Sequence, residues 1–309
     1  MKFEASSKIY NKYFAQYIVT DENLEKLHHV LLEIMEDIDT TCRRHKIQYM
    51  LGGGSCLGAV RHKGFIPWDD DMDIMMYYEE MLALHKFIQE DYGNKYLSKL
   101  PYEGQGPERM MKIYLINTKD VEISKENFPS ENMIFIDVFP IVNLPKPGIR
   151  LKFLNKLHYL TSRLYSVSFD SKYPSSTIMQ ASKENLELKK YYNMRRRLGF
   201  FARITGVYLW RNITRKLENG VTRNTGREGF PSGISYSREI FESGFFRETI
   251  EVDFEGRKFF IPKNYDGYLK NLYHDYMEIP PVDKRERHIA VALDFGQYGD
   301  DVTVERGKL

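Results

Sequence analysis

Four aspartates fall within five consecutive positions, Asp69-Asp70-Asp71-Met72-Asp73, shortly after the glycine run Gly52-Gly53-Gly54-Ser55. This crowding limits what the chain can fold into. Two unit charges 4 Å apart at an effective dielectric near 20 repel by roughly 4 kcal/mol. A divalent cation turns such repulsion into coordination, because Mg²⁺ takes carboxylate oxygens together with substrate phosphates. Glycines let backbone N–H groups approach an anion closely. Together the two features predict metal-assisted chemistry on a phosphate.

Spacing sharpens the expectation. Side chains alternate between the faces of a strand. If Asp71 to Met76 is extended, Asp71 and Asp73 share a face, with carboxylates rooted about 6–7 Å apart. Asp69 joins them if the strand starts early. Met72, Ile74 and Met76 then point into a core. Asp69 and Asp70 also suit turn and cap positions. A second lone carboxylate, Asp137, sits in the apolar run Met133 to Phe139. It is costly there unless it is paired or binds metal.

Other features narrow the class. With 42% hydrophobic and 14% aromatic residues over 309 positions, the chain is globular and long enough for one or two domains. Its net charge of +2 does not call for nucleic acid. Cys42 and Cys56 lack metal-ligand spacing, which excludes a zinc finger or disulfide scaffold and fits a reducing compartment. Met1 to Tyr17 has no apolar core of a signal peptide, and no run approaches the length of a membrane span. The expected address is the cytoplasm.

Apolar positions at three- and four-residue steps predict a helix over Glu22 to Arg44, capped by Thr20 or Asp21. Ile47 to Leu51 reads as a strand that runs into Gly52. A short helix over Ser55 to Val60 follows, and its N-terminus favours anions. Tyr78 to Gln89 reads as a helix. Arg109 to Ile116 and Asp120 to Ser124 read as strands joined by a turn at Asn117-Thr118-Lys119, and Met133 to Phe139 as a stronger strand. Ile250 to Ile261 reads as a hairpin about Glu255-Gly256, and Tyr265 to Tyr276 as a helix. From Leu188 to Leu217 there are nine Lys or Arg and no Asp or Glu. With Ile149 to Phe169 this forms a basic, aromatic-rich helical block. Such a block suits an anionic acceptor or a membrane surface, and equally a helical subdomain with a solvated basic face.

The run Gly53-Gly54-Ser55, then Leu57 through Lys63-Gly64-Phe65-Ile66-Pro67-Trp68 to Ile74, resembles the signature of the LicD family of phosphocholine and related phosphotransferases. The resemblance continues at Ile136 to Pro140, at Tyr273 to Pro281, and at Lys284-Arg285 with His288. It implies an α+β fold: a nucleotidyltransferase-like small mixed sheet flanked by helices, with a helical basic insertion. The implied division is a catalytic core over 1–145, the insertion over 146–224, and a C-terminal hairpin and helix over 225–309 completing the core and substrate site.

The resemblance also implies roles. Asp71, Asp73 and Asp137 become catalytic residues and ligands of Mg²⁺ or Mn²⁺. Gly53, Gly54 and Ser55 meet the pyrophosphate of a CDP-linked donor such as CDP-choline. Asp137 accepts the proton of a glycan hydroxyl. Arg61, Lys63, Asp69, Lys112, Arg285 and His288 are further candidates for donor or acceptor contacts. Trp68 and Cys56 are expected to pack. A lipid-linked form of the glycan acceptor and peripheral membrane contact through the basic block are further expectations. A different polyol- or sugar-phosphate cargo and a true nucleotidyltransferase are the alternatives within enzymes. A non-catalytic nucleic-acid-binding protein is the alternative outside them, against which the intact carboxylate set argues.

Overall fold

The computed structural model describes residues 6–104, 106–128, 131–232, 236, 238–282, 285, 287–298 and 304–305. In chain order the helices and strands are α1 (Ser6–Tyr13), α2 (Asp21–His45), β1 (Met50–Leu51), α3 (Gly53–His62), β2 (Asp73–Tyr77), α4 (Tyr78–Tyr92), β3 (Tyr96–Lys99), β4 (Met111–Leu115), β5 (Lys119–Glu122) and β6 (Phe135–Asn143). Four helices follow: α5 (Ile149–Lys172), α6 (Ser176–Glu184), α7 (Leu186–Ile204) and α8 (Val207–Glu218). The remainder is β7 (Arg227–Gly229), β8 (Ile240–Glu242), β9 (Thr249–Phe254), β10 (Arg257–Pro262), α9 (Tyr265–Tyr273), β11 (Ala290–Asp294) and β12 (Val304–Glu305).

The main sheet runs β1-β2-β6-β4-β3, with β7 on the far half of β6 and β8 beyond it. It is mixed: β2 and β6 are parallel, and the other pairs are antiparallel. Ile74, Met75 and Met76 are each at most 1% exposed, so β2 is covered on both faces and reads as an unbroken apolar run. Helix α2 buries Leu24, Leu27, Leu31, Ile34, Met35, Ile38 and Cys42. Its start is capped by Thr20, whose side chain accepts from the Asn23 N–H, and its last turn carries Arg43, Arg44 and His45. The small mixed sheet flanked by helices is the α+β fold expected.

Several boundaries differ from expectation. β2 begins at Asp73, so Asp71 lies in the irregular approach to the strand. β4 and β5 do not pair with each other: β4 lies between β3 and β6, while β5 pairs with β11. Strands β7 and β8, of three residues each, are too short for a period of two to mark them, and β3 and β11 are further strands beyond those the sequence predicts. The Glu255-Gly256 hairpin is present, both residues at positive φ (49° and 73°), as a two-residue turn demands.

Helices α5 to α8 form the block between β6 and β7. Gly199 of α7 packs against the α5 backbone so closely that a Cβ there would meet Val167 O at 1.8 Å. The buried Arg195–Asp170 pair (2.5 Å) joins the same two helices. In the core, α3 turns equally tightly under the following loop. A Cβ on Gly58 would lie 2.4 Å from Gly64 O, a backbone atom that cannot swing aside. Gly58→Ala is therefore expected to cost about 1–3 kcal/mol, the usual range for overpacking, measured as a lowered denaturation midpoint.

Candidate active site

The sheet register builds the site. Parallel pairing sets Asp73 of β2 beside Asp137 of β6, and antiparallel pairing sets Lys112 of β4 on the other side of Asp137. On the opposite flank, β1 ends at Leu51 against Ile74, and the Gly52 N–H donates to Asp73 O (2.9 Å). The chain must then reverse at once into α3. Gly53 makes the turn at φ +46°, a conformation that L side chains rarely adopt.

The start of α3 lies directly against the carboxylates. A Cβ on Gly53 would come within 3.1 Å of Asp73 Oδ2, and one on Gly54 within 2.5 Å of Asp69 Oδ2. Only glycine leaves room for both acid groups. The Gly53 N–H donates to Tyr268 Oη (2.9 Å), and the Cys56 N–H closes the first helical bond to Gly52 O (2.9 Å). The Gly54 and Ser55 N–H groups are the open donors of the first turn. Ser55 is buried, and its hydroxyl accepts from the Asp73 N–H (2.9 Å), which pins the helix start to the strand. Cys56 is fully buried; desolvation raises its thiol pKa, which suits packing rather than nucleophilic work.

The carboxylates share unbalanced charge. Burial, then Asp71, Asp137 and Asp69, push Asp73 well above the ordinary carboxylate range. Burial, then Asp71 and Asp70, do the same to Asp69. Asp71 is pushed up to about 6, mainly by burial, with His288 pulling the other way. Asp137 has a cation beside it: Lys112 Nζ lies 2.6 Å from Oδ1 and 3.2 Å from the centre of the Phe135 ring. The angle is not that of a hydrogen bond, so this buried oxygen keeps no directed donor. Among the described residues, no three acidic, His or Cys side chains have closed into a ready ligand shell. The donors are all hard carboxylate oxygens with charge to neutralise, so their chemistry fits a divalent oxygen-seeking cation.

Asp70 does something else. It accepts from the His288 backbone N–H on both oxygens (3.2 and 3.0 Å) and meets His288 Nδ1 at 2.9 Å. His288 Nδ1 also lies 3.7 Å from Asp71 Oδ2. Desolvation pulls the His288 imidazole down, but Asp70 and Asp71 outweigh it and hold the pKa above its ordinary value.

Of the sequence-derived candidates, Gly53, Gly54, Ser55, Asp69, Asp71, Asp73, Asp137, Lys112 and His288 come together. Three others do not join the carboxylates. Lys63 is exposed at the far end of α3, where its carbonyl takes the Glu255 N–H (2.9 Å); ten residues of helix span about 15 Å. Arg61 spends its guanidinium on Tyr276 O (2.8 Å), Glu278 O (3.3 Å) and His62. Arg285 lies over the Trp68 ring at 4.0 Å, with Arg61 at 5.9 Å. Trp68, 9% exposed, is the packing post to which both arginines tie the C-terminal segment. Lys284 lies outside the described residues.

Sequence reasoning missed the aromatic wall. A cavity of about 350 Å³ opens beside Gly52, Gly53, Gly54 and Asp73, walled by Phe139, Phe230, Tyr268 and Tyr273, with Glu239 and Ser232. Nothing in α9 marked Tyr268 apart from an ordinary amphipathic helix, and Tyr273 stood out only as the first residue of the family-like stretch Tyr273 to Pro281. A signal was present only in the aromatic content, which has no address.

Comparison with known proteins agrees with this geometry. Residues 46–179 match the family described as LicD/FKTN/FKRP, nucleotidyltransferase domain. The chain is 27% identical over 273 residues to the lipopolysaccharide cholinephosphotransferase LicD of Haemophilus influenzae, covering 84% of this chain and 93% of that protein. It is 30% identical over 118 residues to an uncharacterized protein of Rickettsia typhi, 36% of this chain and 37% of the relative. A 35-residue stretch is 51% identical to human ribitol 5-phosphate transferase FKRP, 11% of this chain and 7% of the relative. The stretch that matches the LicD-family domain, residues 46–179, is the one that holds the glycine turn, the four clustered aspartates and Asp137.

Proposed function

We propose that the chain transfers phosphocholine from CDP-choline to a hydroxyl of a cell-surface glycan, with a divalent metal. The observation that carries the reading is the cavity beside Asp73. Phe139, Phe230, Tyr268 and Tyr273 line a space that also touches Gly53 and Gly54 at the helix N-terminus. A quaternary ammonium has no N–H to donate, so it is recognised by aromatic faces and by charge, and such walls are how proteins hold it. The H. influenzae relative is named as a cholinephosphotransferase, which supports the same cargo.

The chain's own groups have assignable parts. The open N–H groups of Gly54 and Ser55 receive phosphate oxygens at the positive end of α3. Asp71, Asp73 and Asp137 would hold Mg²⁺ or Mn²⁺. When bound, the ion neutralises developing charge on the phosphate and aligns attacking and leaving oxygens. Asp137 receives the acceptor hydroxyl proton as that oxygen bonds to phosphorus and CMP departs. Lys112, with Nζ 2.6 Å from Asp137 Oδ1, supplies a counter-charge to that carboxylate.

Thermal stabilisation by nucleotide-linked donors tests the reading. CDP-choline with Mg²⁺ at a hundred times its Kd is expected to stabilise the fold by about 2.7 kcal/mol. CDP-ribitol, the comparison suggested by the FKRP match, should give less. Phe230→Leu should reduce the CDP-choline response and leave that to CDP alone unchanged. A larger response to CDP-ribitol, or release of pyrophosphate in place of CMP, would replace the proposal with one of its alternatives.

A further inference from the structure

The corner between α7 and α8 carries an unusual surface. Of the 17 large apolar side chains exposed in the described residues, 11 lie between Ile149 and Leu209. Five crowd this one corner: Phe200 (51% exposed), Phe201 (68%), Ile204 (70%), Tyr208 (45%) and Leu209 (45%). Gly206, at φ +93°, makes the bend that turns both helix ends outward. Arg197 and Arg203 of α7 are exposed beside them, Arg215 and Lys216 are exposed in the last turn of α8, and Leu188 to Leu217 contains no acidic residue. Arg203 lies over the Phe200 ring and Arg211 over that of Tyr208, each at 5.8 Å.

We infer that this corner docks on an anionic lipid surface. The chemistry favours lipid over other occupants. Two copies of the corner would press cations against cations, which costs energy at any protein interface. A nucleic acid would use the aromatic rings for stacking but gain nothing from exposed Ile204 and Leu209. A bilayer interface accepts all the groups at once: aliphatic and aromatic side chains enter the headgroup boundary, and Arg and Lys stay at the level of the lipid phosphates. Among the described residues no helix is long and apolar enough to cross a membrane, so the contact is peripheral. It stands independently of the transferase reading.

Vesicle flotation of the full chain tests it, with phosphatidylcholine vesicles with and without phosphatidylglycerol. The parent should float with anionic vesicles and release at high salt. Phe201→Ser/Ile204→Ser should lower partitioning roughly tenfold, since it removes much of the buried apolar area. Arg203→Gln/Arg215→Gln/Lys216→Gln should lower it comparably by removing charge. All five side chains are exposed, so both variants should melt with the parent. Absence of flotation, equal flotation with neutral vesicles, or parent-like flotation of both variants would overturn the inference. So would RNA binding without vesicle binding, or a dimer that Phe201→Ser/Ile204→Ser makes monomeric.

Discussion

Asp73→Asn is expected to lower transfer about a thousandfold while leaving the metal-free protein at least as stable as its parent. The loss follows from removing a group assigned to the cation: metal stabilisation is worth several kcal/mol, and about 4 kcal/mol is three orders of magnitude in rate. The unharmed fold follows from the electrostatics. Burial and three neighbouring carboxylates already disfavour charge at Asp73, so an amide of the same shape removes repulsion. Assays of transfer beside melting curves with and without Mg²⁺ check both halves. Mg²⁺ should stabilise the parent and much less the variant. A variant that melted well below its parent without metal would contradict the assignment. The same crowding sets a pH dependence. Asp71 titrates near 6 when folded, above its ordinary 3.8, so between those values the folded chain holds more protons than the unfolded one. The Asp71 contribution to metal-free stability should therefore fall as pH rises through that window, read as the slope lost in Asp71→Asn, and Mg²⁺ should flatten the fall.

Glu218→Ala is expected to cost about 3–5 kcal/mol, the range for removing one partner of a buried ion pair. Glu218 closes α8, and its side chain is 4% exposed. It accepts from Arg109 Nε (2.8 Å) and Tyr102 Oη of the core, and lies 2.6 Å from His158 Nε2 of α5. One carboxylate thus fastens the helical block to the sheet layer. Burial raises its pKa, but Arg109 and His158 outweigh that and hold it below the ordinary range. Its contribution is complete above the unfolded pKa and disappears as pH falls through the lower folded one. Denaturant midpoints for Glu218→Ala and Glu218→Gln read the effect. The amide keeps its size and one acceptor, so it should lose less.

How much of this was legible beforehand depends on range. The aspartates, the glycines and Asp137 stand out because their types are improbable where they occur, whatever packs around them. Helix α2 was readable to within a residue or so, since one strong period runs the length of its buried face. Lys112 was readable as a residue but not as the neighbour of Asp137, because that depends on strand register. Lys63 illustrates the opposite error. It is near Asp69 in sequence, yet α3 carries it to the other end of the helix. Asp70 looked like a turn residue, and its part in holding His288 could not be seen across 218 positions. The aromatic wall was invisible for the same reason: Phe139, Phe230, Tyr268 and Tyr273 meet only after the sheet and α9 have formed.

The Gly53 N–H rests on Tyr268, and Asp70 holds His288, so both ends of the site are fastened by residues far downstream of the glycines and aspartates. Synthesis runs from the N-terminus, and the carboxylates emerge from the ribosome long before these fasteners exist. A nascent chain at that stage carries the acidic groups and Phe139 without the Tyr268 and Tyr273 side of the wall. Assembly of the site is thereby deferred until the residues up to His288 have been made, and a chain that stops before Tyr268 has neither fastener.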